Sequence, residues 1–254
     1  MILNVTEAGA GAPLVLLHGL FGAARNLGVL TRALSSSYRV IALDLRNHGD
    51  SPHDPRMDYA IMAQDVAETL AAMGLPRVRL CGHSMGGKTA MMLALSRPDL
   101  VDHLAVMDIA PVTYQHDYAD LAQAMLTIPL SSQLTRAEAE RSLASVAKEA
   151  PMRAFLLNNL VLGAQPHWRV GLREISANMA NLFRWDDPPG AKAYHGPALF
   201  LCGGASNYVT AAAEPAIRQR FPQAKIEPIA DASHWLHADK PEIVITALRE
   251  FFAS

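Results

Sequence analysis

Gly82-His83-Ser84-Met85-Gly86 stands between a short apolar strand pattern that contains Val78 and Leu80 and a helix-like run from Lys88 to Ser96. A G-x-S-x-G sequence recurs by chance, but set at a strand-to-helix turn it restricts what the chain around it can build. A serine on so sharp a turn takes a strained backbone conformation. Glycines two residues before and after it remove side chains that would collide across the turn. The helix that follows aims its free N–H groups at the serine oxygen, where negative charge would accumulate during acyl transfer. The plain alternative is an ordinary glycine-rich helix start. Ser84 is the candidate nucleophile, and the Met85 N–H is a candidate donor to the oxyanion.

The flanking pattern repeats along the chain. Strand signals fall at Ile2 to Val5, Leu14 to Leu17, Arg39 to Leu43, Val78 to Cys81, Leu104 to Met107, Ala198 to Cys202 and Lys225 to Ile229. Several are continuous apolar runs, as expected of parallel strands covered on both faces. Between them lie helical patterns. Tyr59 to Met73 carries Ile61, Met62, Val66 and Leu70 on one side and ends near Gly74 and Pro76. Met85 to Ser96 stops at Arg97-Pro98, and Pro241 to Phe252 closes the chain with Asp239 just before it. This alternation specifies an α/β fold with a mostly parallel sheet flanked by helices. With 254 residues, half of them hydrophobic, the chain can bury one large core.

From Val112 to Gly190 the alternation fails. No convincing strand pattern occurs, and helical stretches follow one another: Tyr118 to Leu126, a helix through Ala150 opened by the capping box Thr135-Arg136-Ala137-Glu138, Met152 to Leu162, and Trp168 to Leu182. We read residues 112–190 as a helical cap inserted into a core made of 1–111 and 191–254, the chain returning at Pro188-Pro189-Gly190.

The balance of 22 basic and 24 acidic residues, with no basic block, points away from nucleic acid. Apolar runs are too short and interrupted for a membrane span, and Met1 to Pro13 lacks the pattern of a secretory signal, so a cytoplasmic protein is expected. Cys81 and Cys202 each close a strand. If a third strand separates them, their backbones lie about 9–10 Å apart, too far for a disulfide. Two cysteines also make a zinc site improbable. Neither oligomeric state nor a cofactor is legible, and acyl transfer of this kind requires no metal or organic cofactor.

A serine nucleophile needs a base, and the base a partner that fixes its tautomer. Asp231-Ala232-Ser233-His234-Trp235 follows the last strand and precedes the last helix, which places His234 above the sheet edge that also carries Ser84. His234 is the expected base. His237 is its competitor, expected to face solvent or cap the coming helix, and the His83 side chain should diverge from that of Ser84. A second oxyanion donor is expected in His18-Gly19-Leu20-Phe21-Gly22 after the Leu14 to Leu17 strand, with the Leu20 N–H the candidate and His18 a buried loop anchor. A plain glycine-containing turn would give the same sequence.

These segments, together with Asp44-Leu45-Arg46-Asn47-His48-Gly49-Asp50-Ser51 and Gly86-Gly87-Lys88, resemble the α/β-hydrolase superfamily in its own order from residue 18 to 235. Asn47-His48-Gly49 and Gly86-Gly87-Lys88 are similar to the YbfF-type bacterial esterases and their mitochondrial relatives. The resemblance implies an eight-stranded-type sheet and a serine hydrolase acting on small-molecule carboxylic esters or acyl thioesters of short-to-medium acyl groups through an acyl-enzyme. C–C bond hydrolases, lyases and slow ligand sensors share the scaffold. A C–C hydrolase would need polar cap groups, for which Arg153, Arg169 and Arg173 are the sources.

Most members of the superfamily carry an aspartate after the strand that is here Ala198 to Cys202, but Gly203-Gly204-Ala205-Ser206-Asn207-Tyr208-Val209 holds no carboxylate. Asp108, ending the neighbouring strand, is the natural substitute, and the YbfF-type resemblance implies the same placement. Asp231 is the rival, with an Asx-turn as its other reading. Asp44 and Arg46 are expected to organise loops, and Lys88 to form a structural ion pair. Phe21, Phe155, Leu156 and Trp235 are the expected substrate-pocket residues, and Leu160 and Trp168 could also line it.

Overall fold

Apolar runs covered on both faces build the centre of the molecule. The computed structural model describes residues 1–115 and 118–253. Its strands are β1 (Val5–Ala8), β2 (Pro13–Leu17), β3 (Arg39–Leu43), β4 (Val78–His83), β5 (Val101–Met107), β6 (Leu160–Val161), β7 (His167–Trp168), β8 (Ala198–Gly203) and β9 (Ala224–Ile229). Seven of them form one sheet in the order β1-β3-β2-β4-β5-β8-β9, with β1 antiparallel to β3 and every other pair parallel. The helices are α1 (Gly28–Leu34), α2 (Tyr59–Ala72), α3 (Met85–Ser96), α4 (Ala119–Thr127), α5 (Arg136–Leu143), α6 (Ala150–Leu157), α7 (Leu172–Ala177), α8 (Met179–Phe183), α9 (Glu214–Arg220), α10 (Leu236–Asp239) and α11 (Pro241–Phe252).

The two-residue period of the strands sorts their side chains between two cores. Leu14, Leu16, Val40, Ala42, Ala105 and Met107 face Leu30 and Leu34 of α1 and Val244, Leu248 and Phe252 of α11. Val15, Leu17, Ile41, Leu43, Leu80, Leu104 and Val106 face the other way, onto Met62, Val66 and Leu70 of α2 and Met91 of α3. The register aligns Leu17 with Gly82 and His83 with Met107, so β2, β4 and β5 end at one level. His18, Ser84 and Asp108 therefore leave the sheet side by side at its C-terminal edge, where ligand sites of open α/β sheets gather.

Several boundaries differ from the sequence reading. Seven strands pair in the sheet among the described residues, where eight were expected, and the first begins at Val5. Residues 2–4 lie outside the strand: Leu3 N–H donates to Thr69 Oγ1 (3.0 Å) and Asn4 N–H to Ser51 Oγ (2.8 Å), and only the Asn4 carbonyl meets the backbone next to β3, accepting Asp44 N–H (3.1 Å). The span 112–190, which includes His116 and Asp117 outside the described residues, is helical but also holds the antiparallel pair β6–β7. Two-residue strands are too short to display a period. The capping box forms as expected, with Thr135 N–H donating to Glu138 Oε2 (2.8 Å) and Glu138 N–H to Thr135 Oγ1 (3.2 Å). Its helix stops at Leu143 instead of running through Ala150, and a separate helix starts at Ala150, with Glu149 extended at its N-cap and Pro151 in its first turn. Asn178 divides α7 from α8 by turning its amide to Pro55 O (2.7 Å) and Glu174 O (2.8 Å). Among the described residues no helix is long and apolar enough to cross a membrane. Both cysteines are buried thiols on β4 and β8, with β5 between them.

Candidate active site

The turn after β4 is the tightest point of the sheet edge. Ser84 takes φ 53° and ψ −117°, a conformation that L-residues rarely adopt, while its N–H donates to Met107 O (3.0 Å) and its carbonyl accepts from Lys88 N–H (3.0 Å). A Cβ at Gly82 would stand 2.2 Å from Gly86 O, and one at Gly86 2.4 Å from Leu17 O. Gly82→Ala should therefore lower stability by at least about 1–3 kcal/mol, the usual cost of overpacking, read as a lower urea midpoint. An unchanged midpoint would mean that the turn can open without cost.

His234 lies on the loop between β9 and α10. Its Nε2 is 3.0 Å from Ser84 Oγ and its Nδ1 is 2.8 Å from Asp108 Oδ2. Asp108 is buried, and φ 51° turns its carboxylate back across the ends of β5 and β8. Oδ1 accepts from Gly203 N–H (2.8 Å), and Oδ2 accepts also from the Ser206 hydroxyl. The stretch after β8 that lacks a carboxylate thus supplies donors to the carboxylate of the neighbouring strand. Asp231 is exposed at φ 57° and makes no hydrogen bond to His234. Tyr208, which the sequence reading did not single out, stacks on the His234 ring at 3.9 Å and 19°. An aromatic residue five positions after β8 gave no signal of that contact.

His18 and His48 act through neutral tautomers. His18 donates from Nδ1 to Gly19 O (2.8 Å) and accepts Leu45 N–H at Nε2 (2.9 Å). His48 donates from Nδ1 to Arg46 O (2.8 Å) and accepts Phe21 N–H at Nε2 (3.1 Å). The two rings, 5.0 Å apart, clasp the loop after β2 to the loop after β3. Burial lowers the pKa of His18 and holds that of His48 down at about 3. His83 Nε2 meets His234 O at 2.8 Å, so it supports the loop that carries His234. His237 neither faces solvent nor caps a helix. It is buried edge-on against His83 at 4.6 Å, next to Leu236 of α10, which packs fully into the core, and its Nδ1 has no partner among the described residues.

Within residues 19–22, Gly22 N–H donates to Gly19 O (2.9 Å) and Phe21 N–H is taken by His48, whereas no partner takes the Leu20 N–H among the described residues. Leu20 and Ser84 border the same cleft, with Phe21, Leu121, Met152, Phe155 and Trp235. Met85 opens α3 directly after Ser84. Leu156 is not in the cleft. One position round α6 from Phe155, it is fully buried in the core, and Leu160 and Trp168 also pack there.

Asp44 and Arg46 organise loops. Burial works to raise the Asp44 pKa, but the N–H groups of Asp50 and Ala24 and the Asn4 amide outweigh it and hold the carboxyl below its ordinary value. Arg46 makes a two-pronged pair with buried Asp65 (2.6 and 2.9 Å). Lys88 has no ion pair among the described residues. Its ammonium donates to Phe183 O and Arg184 O (3.2 Å each) and lies over the Tyr114 and Tyr59 rings at 4.9 and 5.3 Å. The expected carboxylate is replaced by the carbonyls that end α8, and burial pushes the Lys88 pKa down to about 7.

Residues 12–241 match the family model described as alpha/beta hydrolase fold. The chain is 41% identical to the sn-1-specific diacylglycerol lipase ABHD11 of Mus musculus, over 98% of this chain and 84% of that protein. It is 39% identical to the Esterase YbfF of Escherichia coli, over 94% and 92%. A solved marine microorganism esterase superposes with a TM-score of 0.94 at 36% identity, covering 98% of this chain and 99% of its own.

Proposed function

The chain belongs to the α/β-hydrolase family and is a hydrolase, and on that premise we propose that it cleaves carboxylic esters or acyl thioesters of short-to-medium acyl groups through an acyl-enzyme on Ser84. The observation that carries this reading is the continuous relay from Ser84 Oγ through His234 to Asp108, at 3.0 and 2.8 Å. Ser84 attacks the carbonyl as His234 Nε2 takes its proton, and Asp108 holds the imidazole in the required tautomer and stabilises its cation. The Leu20 and Met85 N–H groups receive the oxyanion. An oxyanion-hole donor is typically worth about 3–4 kcal/mol of barrier. The alcohol or thiol leaves with the proton from His234, and water repeats the sequence on the acyl-enzyme.

Residues 112–190 act as a cap over the core of 1–111 and 191–254. Phe21, Phe155 and Trp235, with Leu121 and Met152, give the cleft an apolar wall suited to an acyl chain. The names of the relatives, an esterase and a diacylglycerol lipase, favour ester chemistry over C–C cleavage. The arginines that a C–C hydrolase would need are engaged or exposed elsewhere: Arg153 on Glu140 and the carbonyls of Ala147 and Lys148, Arg169 on Asp50, and Arg173 at the surface.

A series of p-nitrophenyl esters of rising acyl length tests the reading, with Ser84→Ala as control. The expected result is serine-dependent turnover with a maximum in kcat/KM at short to medium length. No turnover at any length, from folded protein, would overturn it.

A further inference from the structure

Phe21 is held in the left-handed region at φ 58°, at the third position of a turn closed by Gly22 N–H on Gly19 O, where glycine is the residue normally required. Such a conformation persists in a bulky residue only when its surroundings overdetermine it. Two buried side chains do so here. His48 Nε2 accepts the Phe21 N–H, and Asn159 Nδ2 donates to the Phe21 carbonyl at 2.7 Å. Neither acts on the Leu20 N–H, the donor assigned above to the oxyanion. Both fix the turn that carries it.

Asn159 comes from the far side of the cleft, between α6 and β6. It is 1% exposed, its amide also reaches Leu156 O (3.3 Å), and its oxygen accepts from Arg25 Nη2 (3.4 Å). An amide buried so completely would be costly without partners, and its strongest bond is spent on a strained peptide beside the nucleophile. Nothing in the packing of α6 requires a polar group at that place, since Leu156 and Leu157 before it and Leu160 after it are buried apolar residues.

We propose that Asn159 is a positioning residue for the oxyanion site: by clamping the Phe21 carbonyl opposite His48 it sets the Leu20 N–H, so the helical segment must be docked for the site to be competent. The inference rests on the acyl-enzyme reading and adds to it. Residues 112–190 then form part of the reaction centre as well as its roof. Release of the clamp lets Phe21 relax toward negative φ and shifts the turn. A displacement of about 1 Å at a catalytic group can cost on the order of 100-fold in rate.

Asn159→Asp tests this, because it keeps the shape and replaces the donor with a carboxylate facing the Phe21 carbonyl. With the best p-nitrophenyl ester, kcat should fall about 10- to 100-fold while KM stays within about twofold. The pH profile of kcat/KM should keep its form, since His234 and Asp108 are untouched. Inhibition by a trifluoromethyl ketone of matching chain length, whose adduct places an oxyanion in the site, should weaken in parallel with kcat. A kcat within twofold of wild type, or a loss confined to KM, would overturn the proposal. Asn159→Ala carries the same test if the aspartate variant is unstable, and failure of both to fold would make Asn159 structural and end the proposal. Absence of Ser84-dependent turnover in the wild-type enzyme would instead remove the underlying reading, and this inference with it.

Discussion

Asp108→Asn is expected to lower kcat by about four orders of magnitude without unfolding the protein. The reason lies in how the carboxylate is held. Gly203 N–H can only donate, so the position now occupied by Oδ1 must keep an oxygen. An asparagine there has to turn its NH2 to the position of Oδ2, where His234 Nδ1 now donates. Ser206 Oγ can accept from that NH2, but His234 Nδ1 then faces a donor and must itself become the acceptor. Its proton moves to Nε2, and the nitrogen 3.0 Å from Ser84 Oγ can no longer act as a base. Ser84→Ala removes the nucleophile outright and should cost about 10⁶-fold in kcat, by analogy with the loss measured for a serine nucleophile elsewhere. Asp231→Asn, on an exposed residue with no bond to His234, should leave turnover unchanged. Steady-state kinetics on one ester, with circular dichroism as a check on folding, decides the matter. If Asp231→Asn is the damaging change and Asp108→Asn is not, the acid has been assigned to the wrong residue.

Residues whose chemistry depends on their neighbours in sequence were legible from the start. The turn at Ser84 is encoded within five positions, because the glycines that permit it lie on either side, and the strand and helix next to it follow from short-range periodicity. Asp108 was legible through a topological step, since β5 neighbours β4 and ends at the same level. Contacts between distant segments left no comparable trace. Nothing local marks His48 as the partner of Phe21, or Tyr208 as the ring beneath His234. Lys88 and His237 both departed from expectation: Lys88 is buried on carbonyls in place of the ion pair expected of it, and His237 is buried away from the solvent or cap expected of it. A charged or titratable residue near a helix end is ordinarily solvated, and only the packing of distant segments over it, a tertiary fact, buries it. Leu156 shows the limit of periodicity: the pattern identifies an apolar face of α6, and roughly 100° of helical rotation decides which residue meets the cleft and which the core.

The same burial makes the fold sensitive to mild acid. His18, His48, His83 and His237 are all buried, and burial lowers the pKa of each from its ordinary value of 6.5, to about 3 for His48 and about 4 for His237. For a group whose folded pKa is depressed in this way, the unfolded chain takes up a proton as pH falls through 6.5 and the folded chain does not. Stability is therefore complete above about 6.5 and is lost below it. Each such histidine contributes a slope of up to about 1.4 kcal/mol per pH unit, so His48 and His237 together remove on the order of 3 kcal/mol between pH 6.5 and 5, and His18 and His83 act in the same direction. That is a large fraction of the stability of many domains, and it falls above the range in which ordinary carboxylates titrate. Urea unfolding at pH 7, 6 and 5 should give a steeply falling midpoint. His237→Leu should flatten the slope and leave the variant more stable than wild type at pH 5, because its buried Nδ1 gives up no hydrogen bond. A midpoint that does not move between pH 6.5 and 5 would mean that these histidines take up protons while the fold stays intact, and the two neutral clasps on the loops after β2 and β3 would then be the wrong account of how those loops are held.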